Sequence, residues 1–183
     1  HWLMLVLLVA VYCLMEFRGY FPRGSEERDA MKHWHYMLGL SVFVLVWIRI
    51  AARAIGGVPP ITPSPSRRQQ LAAKAVHVGM YALMIGMPIG GWIILSAENK
   101  PVPFFGLTLP PLVGPNEELA HLVEEIHEAA SEVGYVLLAV HAAAARRDAG
   151  IIFLGDWWHV RGALPVGALN AVLGALSTWT QPV

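Results

Sequence analysis

Before residue 146, four mainly apolar stretches of the 183-residue chain contain no Asp, Glu, Lys or Arg, and these stretches constrain the fold most strongly. They are residues 1–15, 33–48, 75–97 and 133–145. A helix needs about 20 mainly apolar residues to cross a bilayer. The third stretch is long enough as it stands. The second is long enough if it extends to about Ala54, with Arg49 and Arg53 reaching toward the surface. The fourth is long enough if it starts near Glu124. We therefore predict an all-α integral membrane protein, a four-helix bundle.

Composition excludes several other classes of protein. Hydrophobic residues make up 56% of the chain and charged residues 14%, whereas a soluble domain has about 25% charged residues. This composition fits neither a disordered chain nor an ordinary soluble globule. Because 13 Lys and Arg balance 13 Asp and Glu, a basic nucleic-acid binder is excluded. The single cysteine, Cys13, excludes an internal disulfide and a cysteine-based metal site.

The loops between the apolar stretches indicate the orientation. Loop 55–74 has basic residues and no acids, and Arg146 and Arg147 follow the fourth stretch, whereas loop 98–125 has Lys100 against several glutamates. Basic loops stay on the cytoplasmic side of a membrane. We therefore expect 55–74 and the residues after 146 to be cytoplasmic, and loops 17–32 and 98–125 to face outward.

Turn-forming residues divide the chain further. Residues 56–68 are rich in Pro, Gly and Ser, which predicts a linker without helix, and residues 100–116 predict a turn-rich outer loop. Asn116 is a candidate helix cap. We expect one domain at 1–145 and a tail at 146–183. Three alternatives are open for the tail: a fifth membrane segment, an interfacial helix or a loose tail. His1 opens the chain inside an apolar run, which we interpret as a missing natural N-terminus.

Histidines inside apolar segments are the main functional signal, because an ionisable group in a bilayer is expensive. His127 and His141 are fourteen residues apart, which places them on one helix face about 21 Å apart along the axis. Gly134 lies midway between them. Its lack of a side chain leaves room either for a flat, bulky group or for close helix packing.

Two further histidines complete two pairs at two depths. His1 lies at the inner end of the first segment and pairs with His141, whereas His35 lies at the outer end of the second and pairs with His127. Pairs of imidazoles without carboxylates or thiolates fit six-coordinate haem b, whereas zinc and di-iron sites favour carboxylates or cysteines. The alternative is that each histidine only forms hydrogen bonds between helices.

Two other polar residues are candidates for contacts with the cofactor or substrate. Arg49 lies fourteen residues after His35 on the same helix face, where it either pairs with haem propionates or is ordinary cytoplasmic flanking charge. His77 begins the third segment. It either forms a hydrogen bond to a propionate or a quinone, or lies at the membrane interface.

Several motifs resemble those of the prokaryotic cytochrome b561 family, from His1 to about Ala145. They are HW at 1–2, YCLMEFRGYFP at 12–22, HYMLGL at 35–40, HVGMYALMIGMPIGGW at 77–92, FGLTLP at 105–110, HE at 127–128 and LAVHAAAA at 138–145. The resemblance implies a four-helix bundle in the bacterial inner membrane with two haems b. By position, it assigns His1 and His141 to the inner haem and His35 and His127 to the outer haem.

The FRGYFPR and FGLTLP segments are most similar to the stand-alone branch of the family, which includes superoxide oxidase. The resemblance therefore implies electron transfer from superoxide at the periplasmic face to ubiquinone. A positive rim steers a small anion, and Arg18 and Arg23 are the candidates for this role. His77 is the candidate for quinone binding.

Two alternative functions remain open at the level of sequence. One is a haem b electron-transfer subunit that links a periplasmic dehydrogenase or hydrogenase to the quinone pool. The other is a structural or transport bundle without redox chemistry, which leaves the paired histidines unexplained.

Overall fold

The structure is a computed structural model that describes residues 1–56 and 65–155, with side chains through residue 144. The chain divides into two compact units, His1–Leu138 and Ala139–Val183. Most of the predicted tail, residues 156–183, lies outside the described residues.

Four α-helices form most of the described structure. They are α1 (Trp2–Phe17), α2 (Glu26–Gly56), α3 (Arg67–Ala97) and α4 (Glu117–Gly155), and a 3₁₀ turn (Arg18–Tyr20) follows α1. Among the described residues, three helical stretches have the length and hydropathy to cross a membrane: Trp2–Tyr20, Glu26–Gly56 and Arg67–Ala97. The first half of α4 carries six glutamates, which lowers its hydropathy. The prediction of an all-α membrane protein with four helices is confirmed.

The starts of α3 and α4 follow from capping residues. The Ser66 hydroxyl accepts a hydrogen bond from the Gln69 backbone N–H and the Gln69 side chain accepts one from the Ser66 N–H, a capping box. Asn116 Oδ1 accepts a hydrogen bond from the Leu119 N–H at 3.0 Å, so the predicted cap is confirmed. The prediction that 56–68 contains no helix is wrong at its ends, because α2 includes Gly56 and the Ser66 cap starts α3 at residue 67.

The loop before α4 contains a β-hairpin that the sequence analysis did not predict. Strands β1 (Val102–Phe104) and β2 (Leu107–Leu109) pair antiparallel. Phe105 and Gly106 form the turn with φ of +46° and +85°. Val102 is 2% exposed and packs against Leu40 of α2 and Leu95 of α3, so the hairpin is fixed to the helices.

The packing of the helices is typical of a membrane protein. Met4, Val42, Val46 and Met84 form a buried cluster that joins α1, α2 and α3. Many other large apolar side chains are exposed, for example Trp2 at 77%. In water such a surface promotes association, whereas in a bilayer it faces acyl chains of similar polarity.

Candidate functional site

A cleft of about 510 Å³ opens within the first unit and is lined by residues of all four helices. Its lining is mostly apolar and includes Leu8, Met80, Met84, Met87 and Leu138. Two histidines, His35 of α2 and His127 of α4, also line it. Pockets of about 300–1,000 Å³ with an apolar lining and a few polar groups are typical of cofactor and ligand sites.

The structure brings together the histidines of the predicted outer pair. The ring centroids of His35 and His127 are 6.4 Å apart, and the ring planes are inclined by 71°. Two imidazoles that bind one metal ion from opposite sides, each with a metal–nitrogen bond of about 2.0 Å, have centroids about 6.3 Å apart. The observed separation therefore fits one metal ion between the two rings.

The described residues supply only two nitrogen ligands to such an ion. No group of three or more His, Cys, Asp or Glu side chains gathers into a metal-binding cluster within the described ranges. A metal ion held by these two imidazoles needs its other ligands from a cofactor, as iron does in a porphyrin with two axial histidines. The apolar cleft and the donor set fit a haem.

The backbone of α1 orients the ring of His35. His35 Nδ1 lies 3.1 Å from the carbonyl oxygen of Val11. Because a carbonyl oxygen only accepts, Nδ1 carries the hydrogen of this bond and Nε2 keeps its lone pair. This is the protonation state in which Nε2 binds a metal ion.

Glycines of α3 lie against the ring of His127. A Cβ atom placed on Gly90 would lie 3.3 Å from His127 Nδ1, and one on Gly91 would lie 3.7 Å from Cε1. Among the described residues, His127 Nδ1 is a buried polar atom without a hydrogen-bond partner. Because Gly90 and Gly91 have no side chains, the ring of His127 has room to lie beside the cleft.

Gly134 is covered by an aromatic ring from α1. A Cβ atom on Gly134 would collide with the Tyr12 hydroxyl group, which donates a hydrogen bond to the Ser131 carbonyl at 3.1 Å. The ring of Tyr12 also packs against Tyr135, with centroids 4.4 Å apart, and the Tyr135 hydroxyl donates to Glu16 at 2.5 Å. Of the two sequence-based explanations for Gly134, close helix packing describes this contact.

Charged side chains of both signs line the cleft. The cations are Arg18, Lys32 and Lys100, the acids are Glu16, Glu98, Glu124, Glu128 and Glu132, and Arg23 is not among the lining residues. Arg18 is therefore the better placed of the two arginines that the sequence analysis selected. The ion pairs of the described ranges are Lys32–Asp29 at 3.3 Å and Lys100–Glu98 at 2.9 Å, and neither involves Arg18.

Sequence reasoning missed Lys100 as a residue of the cleft. Its hydrogen bond to Glu98 raises the pKa of the Lys100 ammonium group above its ordinary value, so it stays charged at neutral pH. The available signal was that Lys100 is the one basic residue in loop 98–125. Its position beside the site follows from the hairpin, which the sequence did not reveal.

Arg49, His77 and His1 are not among the residues that line the cleft. Arg49 Nε donates a hydrogen bond to the Tyr81 hydroxyl at 3.2 Å, and His77 is half-buried in α3 but does not line the cleft. His1 is the N-cap residue of α1, and its ring stacks on Trp2 at 5.8 Å. His141 belongs to the second unit, so its pairing with His1 stays a prediction.

Comparison with known proteins identifies the family. A family model described as prokaryotic cytochrome b561 matches residues 1–151. Cytochrome b561 homolog 1 of Escherichia coli is 35% identical over 145 residues, which cover 79% of this chain and 82% of the relative. A probable superoxide oxidase of Yersinia pestis is 32% identical over 145 residues, covering 79% and 81%. Cytochrome b561 homolog 2 of Escherichia coli is 28% identical over 109 residues, covering 58% and 56%.

The matched region contains α1 to α3, most of α4 and both histidines of the cleft. Members of this family are multi-pass bacterial membrane proteins that bind haem b and transfer electrons. The apolar helices and the two neighbouring histidines of the cleft agree with this description. The chain therefore belongs to the prokaryotic cytochrome b561 family.

Proposed function

We propose that this protein is a membrane cytochrome with two haems b that transfers electrons from superoxide to ubiquinone. The observation that carries the proposal is the His35–His127 pair, with ring centroids 6.4 Å apart on the wall of a cleft that Arg18 also lines. In this proposal His35 and His127 would hold one haem. His1 and His141, selected from the sequence, would hold the other.

The protein contributes ligation, orientation and charge rather than covalent chemistry. A haem bound in the cleft supplies reversible one-electron transfer. The Val11 carbonyl holds the His35 ring in the protonation state that leaves Nε2 for iron. Five glutamates also line the cleft, and Lys32 and Lys100 are paired with Asp29 and Glu98, so we propose that a small anion such as superoxide is attracted locally, by Arg18.

The proposed reaction balances in electrons and protons. Two superoxide ions each lose one electron and become two molecules of dioxygen. One ubiquinone takes up these two electrons together with two protons and becomes ubiquinol. His77 is the proposed hydrogen-bonding residue for the quinone, and Arg49, which already contacts the Tyr81 hydroxyl, is the proposed propionate partner.

We further propose that the protein lies in the bacterial inner membrane with loops 17–32 and 98–125 in the periplasm. The basic residues of loop 55–74 support this orientation. In this orientation Arg18 and Lys100 meet superoxide that arrives from outside. The relative from Yersinia pestis, whose name is probable superoxide oxidase, supports the choice of electron donor.

The test uses the purified full-length protein in detergent, with superoxide as the only reductant. We expect the visible spectrum to change to that of reduced haem b, and to return to the oxidised form after ubiquinone is added. Superoxide dismutase, which removes the donor, is the control and abolishes the reduction. Haems that stay oxidised with superoxide but are reduced by dithionite contradict the donor and favour the alternative, a subunit that receives electrons from a docked dehydrogenase or hydrogenase.

A further inference from the structure

The two imidazoles of the cleft are held unequally by the protein around them. His35 Nδ1 forms a hydrogen bond of 3.1 Å with the Val11 carbonyl. His127 Nδ1 is buried and has no partner among the described residues. Both rings line one cleft, with ring centroids 6.4 Å apart.

The difference originates in the helices behind each ring. Behind His35, α1 presents a backbone carbonyl. Behind His127, α3 presents Gly90, where a Cβ atom would lie only 3.3 Å from Nδ1 and 3.7 Å from Val123 Cγ1. A side chain with a hydroxyl group at position 90 would supply the missing partner, and glycine cannot.

We infer that His127 is the weaker and more readily exchanged of the two axial ligands, and that Gly90 is the positioning residue that keeps it so. The inference rests on the proposed function, because it takes both histidines as haem ligands. A hydrogen bond to the second nitrogen of a metal-binding imidazole fixes the ring and makes the ligand more basic. Loss of such a partner commonly weakens metal binding by about 10–100-fold. We expect a difference of this size between the His35 and His127 bonds to iron.

The first experiment removes each ligand in turn from the haem-loaded protein. His127→Ala leaves the anchored His35 as the ligand, whereas His35→Ala leaves His127. We expect the haem of this site to transfer to excess apomyoglobin about 10–100 times faster from His35→Ala than from His127→Ala. The other haem is an internal reference and transfers at the same rate from both variants. Equal rates of transfer from this site overturn the inference.

The second experiment keeps both histidines and alters only position 90. Gly90→Ser places a hydroxyl group within hydrogen-bond reach of His127 Nδ1, whereas Gly90→Ala adds nearly the same bulk without it. We measure the carbon monoxide concentration that half-saturates the reduced protein, since carbon monoxide binds only when an axial ligand leaves. We expect this concentration to be at least tenfold higher in Gly90→Ser than in Gly90→Ala.

Gly86→Ala is the matched control, because a Cβ atom there meets nothing within 4 Å. It gives the effect of a Gly→Ala change in α3 without contact with the site. If Gly90→Ser and Gly90→Ala bind carbon monoxide equally, position 90 acts through bulk alone and the inference is wrong.

The outcomes also separate this inference from the proposed function. If neither His35→Ala nor His127→Ala changes the haem content, the spectrum or the transfer rate, the two histidines do not hold a haem and the proposed function fails with the inference. If both variants lose the same haem at the same rate, the haem site stands and only the inequality is refuted.

Discussion

Substitution of Gly134 by alanine tests the packing of α1 against α4 most sharply. The new methyl group would overlap the Tyr12 hydroxyl, whose hydrogen bond to the Ser131 carbonyl lies beside the cleft. Tyr12 must therefore move and give up this bond. The change is small and apolar, so apart from helix propensity its effect comes mainly from the contact with Tyr12.

The size of the destabilisation follows from two destabilising contributions and one stabilising contribution. Overpacking costs about 1–3 kcal/mol, and the lost hydrogen bond costs about 1 kcal/mol. The greater helix propensity of alanine returns about 1 kcal/mol. We expect Gly134→Ala to lower the free energy of unfolding by about 1–3 kcal/mol, which corresponds to a fall in Tm of about 2–12 °C for a chain of this size.

Thermal unfolding in detergent, followed by tryptophan fluorescence, measures the effect. Gly86→Ala is the control and should not lower the Tm, because its Cβ atom meets nothing within 4 Å. In a Tyr12→Phe background, where the hydroxyl is absent, Gly134→Ala should cost little. Two results would refute the described packing. One is that Gly134→Ala costs as much stability in the Tyr12→Phe background as in the wild-type protein, and the other is that the Gly134→Ala protein is as stable as wild type.

Three further predictions test the helix cap and the charges at the cleft. Asn116→Ala should destabilise the protein by about 0.5–2 kcal/mol through loss of the cap, as measured by Tm. Asn116→Ser keeps a capping side chain and should retain most of the wild-type stability. Arg18→Gln should slow haem reduction by superoxide and flatten its dependence on salt, whereas Arg23→Gln, outside the cleft lining, should have a smaller effect in the same stopped-flow assay. The Lys100–Glu98 pair raises the pKa of Lys100 from 10.5, so its stabilisation is complete below pH 10.5 and is lost as the pH rises through the higher value. Glu98→Gln should remove that alkaline loss from a plot of Tm against pH, and an unchanged plot contradicts the assignment.

Much of the helical framework could be predicted from the sequence because its signals are local. A run without charges marks each apolar helix, and Asn116 starts a helix by accepting a backbone hydrogen bond. Ser66 starts α3 in the same way, but the sequence analysis placed it in the linker. Periodicity along α4 also selected His127 and Gly134 as residues on one face. The pairing of His35 with His127 could be predicted from depth alone, since both lie near the same end of their helices.

Contacts between distant parts of the chain could not be predicted in this way. The hairpin depends on Val102 fitting between Leu40 and Leu95, which no local pattern encodes. Tyr12 reaches Ser131 across 119 positions of sequence, so its place over Gly134 required the structure. The same holds for the Val11 carbonyl, because a backbone atom leaves no mark in the sequence.

The haem content of a His35→Ala/His127→Ala double variant tests the central claim most directly. The pyridine haemochrome assay on purified full-length protein counts the haems b in each chain, and the Tm shows whether the variant is folded. Our account predicts two haems in the wild-type protein and one in the folded double variant, with the remaining haem still reducible by dithionite. A folded double variant that keeps the wild-type haem content contradicts the assignment of the cleft between His35 and His127 as a haem site.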